Sequence, residues 1–295
     1  MLSVSSTQEL RKVDMLWKVM PSGNRLGYEV DQIRRRRERR FQLKVFISWS
    51  ILFFFLLFLF SGLEISLFGL RIKTITLDLE FIKRSGPDIG RGVIITIILS
   101  VSSITLASML ALLSALGRMS RIPLAYATST FYISLVRGTP LLLQIFFLFF
   151  ALPQIGIRLG PMTAGILALG LNYGAYMAEI FRAGIESVDI GQKEAAYALG
   201  MTNGQTLRRI VFPQALRLII PPIGNQFIAM QKDSALISTV GFVHEILWRA
   251  GKHGRRDARQ LEALLVAAVF YWVLTIIFST FQSRVEDNFS KSVRQ

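Results

Sequence analysis

Few side chains in this sequence are spaced for covalent chemistry. His244-Glu245 begins like the H-E-x-x-H zinc signature, but Trp248 stands where the second histidine belongs, which excludes that site. The only other histidine is His253, so the many serines of the apolar blocks have no histidine partner there; this argues against Ser–His hydrolysis, while Ser–Lys and Ser–Asp pairings stay open. The chain has no cysteine, hence no disulfide framework and no thiolate metal site. It has no G-x-x-x-x-G-K-[ST], so it does not hydrolyse ATP by that route. What remains are polar groups set inside apolar stretches: Arg137 beside Gly138-Thr139-Pro140, Gln144 soon after, Asn225, Gln226, and Asp233. Asn172, Tyr176 and Glu179 fall at i, i+4 and i+7, on one face of a helix, with Arg182 three residues beyond Glu179 and in pairing range. Such groups could offer hydrogen bonds to a polar solute and are candidates for a translocation path. Arg137 is either an interfacial arginine snorkelling to headgroups or a polar element at the centre of a bundle. Glu179 and Arg182 are either a structural pair near a helix end or part of a solute path.

The elements that must carry these residues are membrane spans. Of 295 residues, 52% are hydrophobic, and they come in blocks near the roughly 20 residues needed to cross a bilayer. The fold class expected is all-α, a polytopic membrane protein. Six spans are expected: Val45–Leu63, Val93–Gly117, Ile122–Leu152, Met162–Gly184, Val211–Ser234 and Leu261–Phe281. The first is a lipid-facing anchor without an ionisable group. The second, punctuated by Thr96, Ser100, Ser102, Ser103, Thr105, Ser108 and Ser114, packs inside. The third is too long for one straight crossing, about 46 Å at 1.5 Å per residue, so Gly138-Thr139-Pro140 should break it. In the fourth, Gly165, Gly170 and Gly174 predict a close-packing face. Pro221 and Pro222 predict a broken fifth helix. The divisions expected are 1–44, a basic arm; 45–63, an anchor; 64–91, an outer segment with a short strand or helix; 92–284, the transmembrane domain; and 285–295, a tail.

Net charge is +15, with six arginines between Arg34 and Arg40. That run is read as a topogenic and lipid-headgroup signal in preference to a nucleic-acid contact or a plain solvated tail, and it places the N-terminus in the cytoplasm. Six spans then return the C-terminus to the same side. One loop, 236–260, with a short helix expected over Val243–Arg249, resists this: Arg249, Lys252, Arg255, Arg256 and Arg259 would lie outside.

Between the fourth and fifth spans lies DIGQKEAAYALGMTNGQTLRRIVFP, residues 189–213. Asp189 with Gln192 predicts a capped helix start, and Lys193–Leu199 supplies helix formers. Gly200 falls where a left-handed residue ends a helix, and Thr202 with Gln205 repeats the box. The spacing predicts a helix, a glycine turn and a second helix running into Pro213, on the cytoplasmic side.

This segment resembles the EAA signature of importer permeases, the membrane subunits of ATP-binding-cassette uptake systems. Glu194-Ala195-Ala196, Gly200, and Ile210-Val211-Phe212-Pro213 carry the likeness, with Phe212 in place of the usual leucine. Residues 137–144, 175–182, 221–226 and 232–234 further resemble the polar amino-acid, histidine/glutamine-type branch. The resemblance covers roughly residues 90–285; the family core has five spans, and this chain carries an extra leading one. It implies an amino-acid importer of the bacterial inner membrane, built with ABC ATPase subunits, a second permease subunit and an extracytoplasmic solute-binding protein. ATP and Mg would sit in the ATPase partners, with no cofactor or metal and no nucleic acid on this chain. It implies that Glu194, Ala195, Ala196, Leu199, Gly200, Ile210 and Pro213 couple to the ATPase. An ion-coupled carrier or channel, using Glu179 or Asp233, is the rival reading, although no inverted repeat is visible.

Overall fold

The computed structural model describes residues 22–67, 70–241 and 243–291. They fall in two units, divided after Leu77. The first 21 residues of the expected basic arm lie outside the described residues.

The first unit contains helix α1, Ser22–Leu59, and an antiparallel hairpin of β1, Glu64–Leu67, and β2, Leu70–Lys73, with Glu64 opposite Lys73. Residues 22–44 are therefore helical and continuous with the anchor, so the boundary expected at residue 44 is not a structural one. Across Arg37–Leu59 no residue is buried, as expected of a span that meets only lipid within its own unit. Helix α1 stops four residues before Leu63, where Gly62 adopts φ +71° and lets the chain turn into the hairpin.

The second unit is a helical bundle. Helix α2, Leu79–Met119, starts well before the expected Val93, because Asp78 caps it by accepting Phe81 N–H at 2.9 Å and the helix runs through Pro87. Its buried face includes Thr96, Ser100, Ser103, Ala107, Ala111 and Ser114, while Ser102 and Ser108 are half-buried and Thr105 is exposed, so the hydroxyls expected inside do not all point there. Helix α3, Pro123–Arg137, meets the helical stretch Leu141–Ile155 at 105° across Gly138-Thr139-Pro140, so the expected break is present and sharp. That stretch opens as helix α4, Leu141–Phe146, and continues through a π-helical turn, Phe147–Ala151, and a 3-10 turn, Leu152–Ile155. Helix α5, Pro161–Glu186, packs along α2. A methyl on Gly170 would lie 2.6 Å from the Leu106 side chain, and one on Gly174 would lie 3.0 Å from Leu110 and 3.3 Å from the Ala107 carbonyl. Gly165 does not share that face: its methyl would meet Ile237 at 2.5 Å.

Helix α6, Ile190–Ala198, is followed by a single turn, α7, Asn203–Thr206, a π-helical turn, Leu207–Val211, and helix α8, Phe212–Asp233. Contrary to expectation, α8 is not broken at Pro221-Pro222; the irregular turns lie at its two ends, the second being a 3-10 stretch, Ser234–Val240. Helix α9, Ile246–Arg256, begins three residues later than the expected Val243, and α10, Gln260–Lys291, closes the bundle. Among the described residues, α1, α2 and α10 are long and apolar enough to cross a membrane, and α3 with the stretch Leu141–Ile155 adds a fourth if the bent pair is one span. Helices α5 and α8, 26 and 22 residues, have the length but no stretch of 18 residues as apolar as those three.

Candidate functional site

Helix α6 is closed at both ends by its own sequence. At its start the Asp189 carboxylate accepts Gly191 N–H at 2.7 Å; the reciprocal bond expected from Gln192 is not among the bonds of the described residues. At its end Gly200 takes φ +78°, Gly200 N–H reaches the Tyr197 carbonyl at 2.9 Å and Met201 N–H the Ala196 carbonyl at 3.0 Å. These two bonds make a Schellman motif, which satisfies carbonyls that the helix end leaves open. The second box does form: Gln205 N–H donates to Thr202 Oγ1 at 3.3 Å, and Thr202 N–H to Gln205 Oε1 at 2.9 Å.

The apolar surface of α6 differs from the one expected. Ala196 is 3% exposed and faces the protein, so it does not share a face with Leu199, which is 82% exposed. Glu194 and Ala195 are exposed, and Ile190 and Tyr197 join Leu199 as large apolar groups open to the outside. Ile210 and Pro213 lie where the π-helical turn passes into α8. The result is a short rigid helix, pinned by one buried alanine, that presents a greasy tip.

The second cluster is centred on Glu179. Its Oε2 accepts Arg182 Nε at 3.0 Å; its Oε1 pairs with Arg118 from α2 and lies 3.6 Å from Arg137 of α3. Arg182 also reaches Glu186 at 2.6 Å, and the Arg137 guanidinium lies 5.2 Å from the centre of the Tyr176 ring. A carboxylate gathering three guanidinium groups from three helices ties the end of α2 to α5 and to the α3–α4 break. Spacing in the sequence placed only Arg182 in pairing range of Glu179; Arg118 and Arg137 reach it from other helices.

Gln144 holds the break itself. Its Nε2 donates to the Val136 carbonyl at 2.8 Å and to Thr139 Oγ1 at 2.9 Å, while its Oε1 accepts Asn172 Nδ2 at 3.2 Å. Carbonyls left open at the kink thus find a side-chain donor. Gln144 and Asn172 are therefore engaged structurally, and Tyr176 is the exposed member of the stripe, at 41%.

The remaining expected residues lie elsewhere. Asn225 accepts Gln282 Nε2 from α10 at 3.1 Å, and no hydrogen bond from the Gln226 side chain occurs among the described residues. Asp233 accepts the Tyr173 hydroxyl at 2.7 Å, a contact that the sequence did not announce because Tyr173 belongs to the buried face of α5. Glu245 is fully buried and caps α9, accepting Leu247 N–H at 2.8 Å, Trp248 N–H at 2.6 Å and the Tyr271 hydroxyl at 2.5 Å. His244 lies against the Trp248 ring, at 4.1 Å between ring centres. Both residues of the false zinc signature thus have a structural employment. No group of three or more His, Cys, Asp or Glu able to hold a metal occurs among the described residues.

With this geometry in hand, residues 103–291 match the model of the family described as binding-protein-dependent transport system inner membrane component. The chain belongs to that family: it is a membrane-embedded transport subunit, and ATP hydrolysis falls to a separate subunit. Its relatives include the L-cystine transport system permease protein TcyB of Bacillus subtilis, 40% identical over 70% of this chain and 88% of that one. The arginine transport system permease protein ArtQ of the same organism is 37% identical over 68% of this chain and 91% of that one. The glutamine transport system permease protein GlnP of Escherichia coli is 34% identical over 68% and 92%. A crystal structure of an amino acid ABC transporter with histidines superposes with a TM-score of 0.68 at 37% identity, covering 72% of this chain and all of that one. An inward-facing MetNI methionine ABC transporter, 16% identical with a TM-score of 0.53, shares the fold. The family match begins at residue 103, well after α1 and the hairpin.

Proposed function

We propose that this chain is the permease subunit of an ATP-driven importer of polar amino acids, and that α6 is the part a partner ATPase grips. The observation that carries the coupling role is the build of α6: capped at both ends, anchored by buried Ala196, and tipped by Leu199 at 82% exposure. A rigid element on two long helices transmits a push, whereas a flexible loop absorbs it. The amino-acid substrate is supported by relatives named for L-cystine, arginine and glutamine transport.

In the proposed topology α1, α2, the α3–α4 pair, α5, α8 and α10 cross the membrane, giving six crossings with both termini and α6 in the cytoplasm and α9 outside. The charge of the outer loop is compatible with this. Arg249 pairs with Asp88 at 2.8 Å, Arg256 with Asp257 at 2.9 Å, and Arg259 lies 3.4 Å from Asp78 and 3.5 Å from Glu262. Much of the positive charge that argues against an outer location is locally neutralised. The partners in this reading are ATPase subunits that hold ATP and Mg, a second permease subunit, an extracytoplasmic solute-binding protein and the lipid around α1. Translocation-path candidates are Arg137, Tyr176 and Asp233, while Glu179 and Arg182 tie α5 to α2 and α3.

The test is reconstitution. Co-purification of an ATPase subunit in mild detergent, and uptake of labelled amino acids into liposomes only when ATP and the binding protein are supplied, are the expected results. Uptake by the lone chain without ATP would overturn the reading in favour of a carrier.

A further inference from the structure

Helices α8 and α10 run antiparallel and leave a groove between them. Gln282 Nε2 donates to the Pro221 carbonyl at 3.2 Å and to Asn225 Oδ1 at 3.1 Å. Further along, the Phe227 and Phe278 rings meet edge to face at 4.9 Å. Gly224 permits the approach at the glutamine, since a methyl there would lie 2.7 Å from the Gln282 side chain. Beside these contacts a cavity of about 350 Å³ stays open. Ile220, Ile223 and Phe227 of α8, Phe278 and Phe281 of α10, and Ile104 of α2 give it apolar walls.

One end of the groove is polar. Gln282 and Glu286 line it, and Glu286 Oε1 accepts Gln282 Nε2 at 2.8 Å, which leaves the carboxylate free to take further donors. Gln282 Oε1 is buried and meets no donor among the described residues. Arg217 stands three and four residues before Ile220 and Pro221, hence on the same face of α8 and one turn beyond the groove. It is exposed, with no ion pair or hydrogen bond among the described residues. Because the helices are antiparallel, Arg217 and Glu286 lie at the same end, where α8 starts and α10 finishes. A cation and an anion thus bracket the mouth of an apolar slot.

Size and charge together select the occupant. From Ile220 to Ile228 the helix rises about 12 Å, close to the roughly 15 Å of one leaflet's hydrocarbon. A helix 10–12 Å across would displace about 1,000 Å³ or more over that length, well above the space present. A single acyl chain is slender enough, and a polar solute gains nothing from these walls. At the mouth, Arg217 suits a phosphate and Glu286 an ammonium that can donate hydrogen bonds. A glycerol headgroup brings no cation, and a choline headgroup brings one without an N–H.

We propose that this groove is a binding site for an aminophospholipid of the phosphatidylethanolamine class: one acyl chain lies between α8 and α10, the phosphate meets Arg217, and the ammonium donates to Glu286. This rests on the reading of α8 and α10 as membrane spans. The lipid fills the space that Gly224 and the two prolines leave between the helices.

The experiment takes the permease assembled with its ATPase partners in bilayers of equal parts phosphatidylethanolamine, phosphatidylcholine and phosphatidylglycerol. The complex is extracted in mild detergent, and native mass spectrometry counts each lipid class retained. Wild type should retain phosphatidylethanolamine about fivefold over either of the others, a modest difference in affinity. Glu286→Gln should bring that preference to within about twofold while leaving the other two lipids unchanged, and Arg217→Gln should lower all three together. Ile220→Trp, which fills the slot, should do the same; if it does not assemble, the two surface variants decide alone. Equal retention of the three lipids by wild type, or an unchanged preference in Glu286→Gln, would overturn the proposal. So would a disulfide between two copies carrying Phe281→Cys, because Phe281 is 66% exposed at the groove and its cross-linking would mean that a second permease covers it. Resistance of the wild-type chain to carbonate extraction, scored separately, tells failure of the lipid site from failure of the span reading.

Discussion

Gly200 shows how one residue sets a boundary. At φ +78°, a side chain added there would meet no atom within 4 Å, so only the backbone conformation opposes substitution. The left-handed region costs an L-residue roughly 1–2 kcal/mol, and a β-branched one suffers most. Gly200→Val should therefore fray the end of α6 and lower ATPase recruitment and uptake at equal membrane levels, while Gly200→Ala should do so less. Normal recruitment in the valine variant would mean that α6 does not need this cap. Glu179 is a residue of the opposite kind, surrounded by partners. Glu179→Gln leaves Arg118, Arg137 and Arg182 without their shared carboxylate. Because Glu179 is about one-quarter exposed, the loss should be about 1–3 kcal/mol, less than for a fully buried charge network. Thermal unfolding in detergent measures it, and a variant as stable as the parent would show that the cluster is not structural.

At the scale of elements, α6 separates anchoring from presentation. Leu199→Asp should abolish ATPase recruitment with the permease itself unharmed, since Leu199 touches little of the chain. Ala196→Leu should instead disturb the permease, because Ala196 is buried. Equal effects of the two would contradict the division. Helix α9 rests on a single acid. Burial pushes the Glu245 carboxyl above its ordinary value, although the bonds from Tyr271, Leu247 and Trp248 pull the other way. The folded state therefore binds this proton more tightly than the unfolded chain does. Its contribution is fully present below the unfolded value near 4.3 and declines as pH rises toward the raised folded value. Glu245→Gln should remove that pH dependence and cost little at neutral pH, while Glu245→Ala should cost about 1–2 kcal/mol through loss of the cap. Unfolding followed from pH 4 to 8 distinguishes the three proteins.

At the scale of the molecule, the chain's lack of cysteine makes topology directly readable. A single cysteine at Leu199 should react with a membrane-impermeant maleimide only after the cytoplasmic side is opened, and one at Arg255 should react in intact cells. The reverse pattern would invert the proposed orientation. The family match begins only at residue 103, after α1 and the hairpin. Removing residues 1–63 should leave the remaining bundle folded, and uptake by the truncated chain measures what those residues contribute.

Local rules sufficed for much of this protein. Capping residues, a glycine at a helix end and a Gly-Thr-Pro break act through neighbours in sequence, so α6, its left-handed turn and the α3–α4 kink were legible in the residues alone. Apolar block length likewise announced a helical membrane protein. Misreadings arose where the deciding partner is distant. Pro221-Pro222 is accommodated within an unbroken α8 packed on α5 and α10. Ala196 is buried by the chain that returns beneath it, and Gly165 faces Ile237 while Gly170 and Gly174 face α2. Glu179 was visible, but its second and third arginines come from α2 and α3, and Tyr173 meets Asp233 across 60 residues. Periodicity tells which residues share a face; only the packing of helices decides what that face meets.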